Sequence, residues 1–388
     1  MLTQKFSFIG DALERQKAGH RFRELTAYNP KDPVLISDSD QEFINFSGND
    51  YLALSKHPGV IERSQKYAEK YGAGSTASRL ITGTYSIHER LEKKLASAFG
   101  WESALLFNSG FQANSTIISS LADRHALILA DKLSHNSLLQ GSLASRASFR
   151  RFEHNSVADL ETKLQKAASE KFSRIIVITE SLFSMDGDRS DLSVIAELCQ
   201  KYKALLFVDD AHAMGVWGEN GLGFAYKIPG IDMVIGTCGK AFGSFGAFLL
   251  CSAKARDYLI NFCPGFIYTT SLPPAVIGSI EASLELIPGM DDERKKLHQK
   301  IKRMKAGILK AGFSTGCSDS QIIPIMVGSN EKTLSLAEYL KDEGFLATAI
   351  RPPTVAKGSA RIRITLSSAH TDEQINKFLS ALQSYKHV

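Results

Sequence analysis

Cysteine is scarce in this 388-residue chain, and the five present (Cys199, Cys238, Cys251, Cys263 and Cys317) are odd in number and never spaced as Cys-x-x-Cys. That pattern argues against a disulfide framework and a cysteine-based zinc site, and it suits a reducing compartment. Long apolar runs are lacking too; none approaches the roughly 18 residues needed to span a bilayer. The N-terminal stretch MLTQKFSFIGDALERQKAGH lacks the basic, apolar and small-residue order of a signal peptide, and its acidic residues do not suit a transit peptide. It reads as an amphipathic helix, and a cytoplasmic location is expected. Repeats and low-complexity tracts are absent. Nor is there a block of one charge: 46 basic and 41 acidic residues leave a net charge of +5. The densest run, DDERKKLHQKIKRMK at 291–305, mixes signs at helical spacing and reads as a solvated helix face. Neither nucleic acid nor a membrane is therefore expected as a partner. An acidic, phosphate-bearing small molecule or an acyl carrier fits the same charge.

What is present is a regular alternation. From about residue 100, short β-branched or apolar runs alternate with helical periodicity. The strand candidates are SALLFN, ALILA (126–130), RIIVITES (174–181), ALLFVDD (204–210), MVIGT (233–237) and AFLLCS (247–252). Such βα units imply an α/β fold with a largely parallel, doubly wound sheet. Only a short loop separates the last two runs, so one antiparallel edge strand is expected there. INFSGNDYLAL (44–54) reads as a short strand and turn. Past about residue 285 a long charged helix leads to IIPIMVG, a helix, FLATAI, ARIRITL and a final helix, the pattern of a smaller α+β domain. The expected division is residues 1–48 as an N-terminal helix with short strands, 49–285 as the large domain and 286–388 as the small one.

In open α/β sheets ligands sit beyond the carboxyl ends of the strands, and every strand tip here carries polar or ionisable groups. NSGF opens a helix whose N–H groups at Ser109, Gly110 and Phe111 form an anion site. His135 follows ALILA, and Ser184 follows RIIVITE. The pair Asp209–Asp210 ends ALLFV, and His212 comes three residues after the first acid. Successive strand residues face opposite ways, so the two acids cannot share one environment. Thr237 and Lys240 follow MVIG in the stretch GTCGKAFGSFG (236–246). A P-loop needs glycine at 234 and Ser or Thr at 241, where Val and Ala stand. Lys240 is then either an exposed lysine on a flexible turn or an amine that forms a Schiff base with a carbonyl cofactor. No histidine or cysteine follows Asp209 and His212 at ligand spacing, so no metal site is expected. A G-x-S-x-G elbow is also absent. Pyridoxal 5'-phosphate (PLP) fits, since its enzymes need a Schiff-base lysine and an acid at the pyridine nitrogen.

Eight segments, GSTASRLITGTYSIHERLEKKLASAFG, ALLFNSGFQAN, LSHNSL, TESLFSMDGD, VDDAHAMGVWG, TCGKAFG, IYTTSLPP and ARIRITLSSAHT, resemble in order those of the α-oxoamine synthases. These fold-type I PLP-dependent transferases join an amino acid to an acyl thioester, and the resemblance spans essentially the whole chain. It implies that Lys240 holds PLP and acts as general base, Asp209 faces the ring nitrogen, His212 the phenolate oxygen and His135 the ring face. It places Ser109, Gly110, Phe111, Ser184 and Thr237 in the cofactor site, with Thr270 supplied by a partner subunit in a homodimer. It also implies substrate contacts at Arg23, His135, Thr354 and Arg363. Arg361 and Arg363 lie two apart on one strand face, where a guanidinium suits a carboxylate bidentately; the family pattern points to the second. The segment ATAIRPPTVAKGSARIRITLSSAH is most like the biotin-pathway branch, which uses L-alanine and a pimeloyl thioester on CoA or on an acyl carrier protein. Phe245 stands where members of the family commonly carry a smaller residue. Another α-oxoamine synthase, or a fold-type I aminotransferase or aldolase, would use the same lysine and aspartate.

Overall fold

A computed structural model describes residues 4–39 and 41–385. The chain divides into two compact units. One comprises residues 49–184 and 188–296, the other 1–48, 185–187 and 297–388.

The first unit is built on a seven-stranded sheet of β1 (Ser103–Phe107), β2 (Ala126–Asp131), β3 (Ser148–Phe152), β4 (Arg174–Glu180), β5 (Leu205–Asp209), β6 (Met233–Thr237) and β7 (Ala247–Cys251). Their spatial order is β1-β7-β6-β5-β4-β2-β3. Strands β6, β5, β4, β2 and β3 run parallel, while β7 is antiparallel to both β6 and β1. The short loop between β6 and β7 does force an antiparallel pair, because a parallel return needs a crossover connection. The expectation of an edge position is corrected, however: β1 pairs with the outer side of β7, and all five residues of β7 are buried. The edge strand β3, SFRRF, carries no strand signal in the sequence because its central arginines break the apolar run. As an edge it tolerates them, and Arg150 there forms a paired contact with Glu170 (2.7 Å).

The central strands are apolar on both faces because helices cover both. Leu105, Ile128, Ile178, Phe207, Ile235 and Leu249 pack in one buried cluster with Ile117 and Ile118 of the helix Gly110–Leu121. Short polar side chains cap the helices that follow the strands: Ser109, Ser156, Asp191 and Ser252 each accept a backbone N–H from the first turn. His135 does the same for the helix Asn136–Ala144.

The second unit contains a three-stranded antiparallel sheet in the order Ile322–Gly328, Ala360–Thr365, Thr348–Ile350. FLATAI, expected as one strand, is split. Phe345–Leu346 instead pairs in parallel with Glu42–Asn45 in a small four-stranded sheet. That pairing is why residues 1–48 group with the C-terminal part of the chain and do not stand alone as expected. Phe46 seals the junction, with its ring stacked 4.4 Å from His370 and tilted 4.7 Å from Phe378. The chain passes between units within the helix Asp291–Lys310, eleven residues later than the expected boundary at 285/286. Leu297, Ile301, Met304 and Ile308 form its buried stripe together with Arg294, whose Nη1 donates to the Ile287 carbonyl, and its other charged residues take the remaining face. The N-terminal helix Ser7–Ala18 buries none of its residues, and Phe8, Ile9 and Leu13 are exposed.

Candidate active site

Beyond the carboxyl ends of the parallel strands, within the first unit, lies a cleft of about 250 Å³. Ser109, Gly110, Phe111, His135, Asp209, His212, Thr237 and Lys240 all line it, joined by Asn49, Asn114, Ser137, Glu180 and Phe245. Residues from six different places in the chain meet there because the sheet brings the tips of β1, β2, β4, β5 and β6 to one end.

Asp209 ends β5 and is buried, with both carboxylate oxygens occupied. Asn114 Nδ2 donates to Oδ2 (2.7 Å) and the Ala211 N–H to Oδ1 (3.0 Å). Asn114, which sequence reasoning missed, also donates to Ser137 Oγ (3.0 Å) and so ties two helices to the acid. Its neighbour Asp210 faces the other way, as strand alternation requires. It accepts from the N–H groups of Phe224 and Ala225 and from the Ser181 hydroxyl. Burial pushes the Asp210 carboxyl up to about 7, against those hydrogen bonds. The first acid serves the cleft and the second holds a loop.

His212 Nδ1 lies 2.7 Å from the hydroxyl of Tyr51, a fully buried ring that also reaches Asn49 Oδ1 (3.1 Å). Tyr51 is invisible as a functional residue in the stretch NDYLAL, where it reads as core. His135 Nδ1 contacts Ser137 Oγ (2.8 Å), and its backbone N–H donates to Glu180 Oε1 (2.5 Å). Burial lowers the His135 pKa; Asp209 opposes that shift and Lys240 adds to it, favouring a neutral ring. Lys240 sits on the tight hairpin loop between β6 and β7, where the Gly243 N–H donates to its carbonyl (2.8 Å). Gly243 has φ +59°, and a Cβ there would fall 2.2 Å from the Ser55 nitrogen, so only glycine closes this turn.

The anion end of the cleft is set by β1 and β6. Ser109 uses its hydroxyl to cap Gln112 (3.1 Å), leaving the first-turn N–H groups of the helix directed at the cleft. A Cβ on Gly110 would lie 2.6 Å from the Thr237 methyl, so glycine is what allows strand tip and helix start to meet. Thr237 Oγ1 is buried and has no hydrogen-bond partner among the described residues. A buried, unpartnered hydroxyl beside a helix N-terminus is complementary to a phosphate. Together with an ionisable lysine and an aspartate held by two donors, the residues present fit PLP.

Two predicted residues lie elsewhere. Ser184 is half-buried in the turn between Leu182 and Arg189 and is not among the residues lining the cleft. Thr270 is exposed, its carbonyl accepting from Asn108 Nδ2 (2.8 Å) and its backbone bridging Ser78. Arg23, Thr354 and Arg363 belong to the second unit. There Arg23 Nη2 donates to Thr354 Oγ1 (3.1 Å). Arg361 is committed to the protein, paired with Asp186 and bonded through Nε to the Ser359 carbonyl (3.0 Å). Arg351, which carries no signal in the sequence, lies close enough to Arg23 for repulsion to add to burial in lowering its pKa.

Comparison with known proteins places this arrangement. The model of the aminotransferase class I and II family matches residues 41–382. The chain belongs to that family. Within it the protein is an α-oxoamine synthase, a PLP-dependent acyltransferase. It is 42% identical to an 8-amino-7-oxononanoate synthase of Gluconacetobacter diazotrophicus, over 98% of each chain. Identity is 43% to the enzyme of the same name from Sodalis glossinidius, over 96% of each. A solved serine palmitoyltransferase variant from S. paucimobilis with a bound PLP–myriocin aldimine superposes with a TM-score of 0.91 at 28% identity, covering 99% of this chain and 98% of that one. Among the described residues no helix of this synthase is long and apolar enough to cross a membrane.

Proposed function

We propose that this α-oxoamine synthase condenses L-alanine with a pimeloyl thioester, on CoA or an acyl carrier protein, to give 8-amino-7-oxononanoate, CO2 and free thiol in biotin biosynthesis. The observation that carries this reading is end-to-end identity above 40% to enzymes of that name, on a chain whose cleft gathers Lys240, Asp209, His212 and His135.

Bound in the cleft, PLP supplies an electron sink for the charge left when the alanine α-proton departs. Asp209, held as an acceptor by Asn114 and the Ala211 N–H, keeps a proton on the ring nitrogen. His212, oriented by Tyr51, would donate to the ring oxygen, and neutral His135 would cover the ring face. The N–H groups of Gly110 and Phe111 with the Thr237 hydroxyl hold the phosphate, with Ser109 setting the helix start. Ser184 is assigned to the cofactor by the family pattern alone. Lys240 is the residue that would hold the cofactor aldehyde, and its amine, when free, would act as the general base that removes the α-proton. Arg363 is assigned the substrate carboxylate by the family pattern, and Arg23 and Thr354 further substrate contacts.

The working form is proposed to be a homodimer with shared sites, in which Thr270 of the partner subunit joins the phosphate contacts. The exposed apolar residues Phe8, Leu13, Leu80, Ile81 and Tyr268 support an interface, because a lone chain gains nothing by leaving them in water. Purified protein given L-alanine and pimeloyl-CoA should release thiol and CO2; transamination without thiol release would overturn the acyltransferase chemistry. Glycine, serine and shorter acyl thioesters in the same assay distinguish the alanine–pimeloyl reading from glycine C-acetyltransferase or a palmitoyl enzyme. Mixing inactive Lys240→Ala protein with an inactive Thr270→Glu variant should restore about a quarter of wild-type activity if sites are shared across a twofold interface. No recovery despite subunit exchange would sink the shared site.

A further inference from the structure

Glu180 is a carboxyl the reaction does not use, yet it lines the cleft and is buried. It ends β4 opposite Asp209 in the parallel β4–β5 register, and opposite residues of adjacent strands project to the same face. Adjacent strands are about 4.8 Å apart, so two acids stand side by side out of water. Asp131, a third buried acid, ends the next strand, β2. The three are equipped very differently. Asp131 accepts from the Leu133 and Asn155 N–H groups and contacts the His154 ring. Asp209 accepts from Asn114 and Ala211. Among the described residues, the Glu180 carboxyl receives only the His135 backbone N–H. Like charges this close do not all ionise, and the proton settles where the fewest donors face the carboxyl.

We propose that Glu180 is a positioning residue, a neutral carboxylic acid that fixes the His135 backbone over the cofactor site without adding a second negative charge beside Asp209. The groups that face it are Asp209 and Asp131, which oppose its ionisation, and Lys240 and the His135 N–H, which favour it. Burial and Asp209 together prevail, holding its proton well above the usual carboxylate range. The consequence concerns charge placement. Were Glu180 ionised, two carboxylates would compete for the proton that Asp209 is to hold on the ring nitrogen, and His135 would be drawn toward its cationic form.

This inference rests on the PLP reading for its role but not for the protonation state, which the cofactor-free protein reports by itself. Infrared difference spectra of cofactor-free wild type minus Glu180→Gln at pH 7.5 should show the C=O stretch of a protonated carboxylic acid. A carboxylate band in its place would overturn the proposal. In the loaded enzyme Glu180→Gln, which keeps shape and neutrality, should retain turnover within about threefold and leave the pH midpoint of the cofactor absorbance unmoved. A midpoint shift of about one unit would mean a charge had been removed, and would count equally against it. Glu180→Ala should raise the His135 pKa measured by NMR and weaken the cofactor's induced circular dichroism at least twofold, since its ring cover is loosened. Unchanged signals in that variant would refute positioning; should it fail to fold, the glutamine variant and the infrared band still decide.

Discussion

Two clusters of ionisable groups, each built on buried carboxylates, stand at the tips of neighbouring strands, and they are finished in opposite ways. In one, His154 bridges Asp131 (2.9 Å) and Asp188 (2.8 Å), Asn155 donates to both carboxylates, and Phe183 packs edge-on against the imidazole; only Asp188 Oδ1 has no partner among the described residues. Despite burial, the hydrogen bonds to the two carboxylates raise the His154 pKa to about 10. In the other, Glu180, Asp209, His135 and Lys240 surround open space, and Thr237 Oγ1 has no partner among the described residues. A cluster that satisfies its own charges is scaffold, whereas one that leaves a hydroxyl and helix N–H groups turned toward a cleft is built for something that arrives. Proximity to strand tips alone does not tell the two apart.

The sharpest way to break this contrast is to empty the second cluster. Lys240→Ala should cost more than about 10⁴-fold in turnover, since covalent attachment and proton transfer are lost together, while the thermal midpoint stays near wild type. Wild-type turnover by that variant would refute the lysine assignment. Asp209→Asn should cost on the order of 10²–10³-fold in kcat, because a neutral amide cannot hold a proton on the ring nitrogen. A raised KM at unchanged kcat would count against the role. His154→Ala attacks the first cluster and should show the reverse signature. The buried Asp131 and the half-buried Asp188 lose their cation, so unfolding free energy should fall by about 3 kcal/mol, with activity per folded molecule kept within a few-fold. The same cluster predicts a direction with pH. The folded pKa near 10 exceeds the free value of 6.5, so its stabilisation is complete below about pH 6.5 and is lost as pH rises through about 10. A denaturation series showing His154-dependent stability growing over that range would contradict it. Smallest, Thr237→Val should weaken PLP binding roughly ten- to a hundredfold, the loss of one charge-assisted hydrogen bond of about 1.5–3 kcal/mol. Equal affinity by cofactor titration would mean that the hydroxyl faces something other than phosphate.

Much of this site is legible in the sequence because strand tips are. The runs ending at Phe107, Glu180, Asp209 and Thr237 announce themselves by apolar continuity, and the residues after each run are forced to the same end of the sheet. Tyr51, Asn114 and Glu180 are not legible as parts of the site. Tyr51 and Asn114 act through contacts with residues 161 and 95 positions away, and a tyrosine in an apolar turn or an asparagine inside a helix carries no local signal of that. The edge strand β3 is hidden by its arginines, and the split of FLATAI by a pairing with residues near the other end of the chain. Ala347, between the two short strands, looks no different from a strand interior. Local pattern reveals what a segment is; the partner it finds is a property of the whole chain.

The antiparallel strand β7 also matters for synthesis. Among the described residues, Ser103 has its sheet partner in Cys251 and Phe107 in Ala247. While the chain is being made, β1 therefore emerges long before the strand that will cover its edge, and an apolar strand with open N–H and C=O groups is a template for wrong pairing. Early cover would come from the capped helix Gly110–Leu121, which comes next in the chain and whose buried face packs with β1 residues. The hypothesis is that nascent chains ending before residue 247 are the aggregation-prone species. Ribosome-bound truncations at 230 and 260, compared for chaperone capture, should differ strongly, and equal capture would refute it.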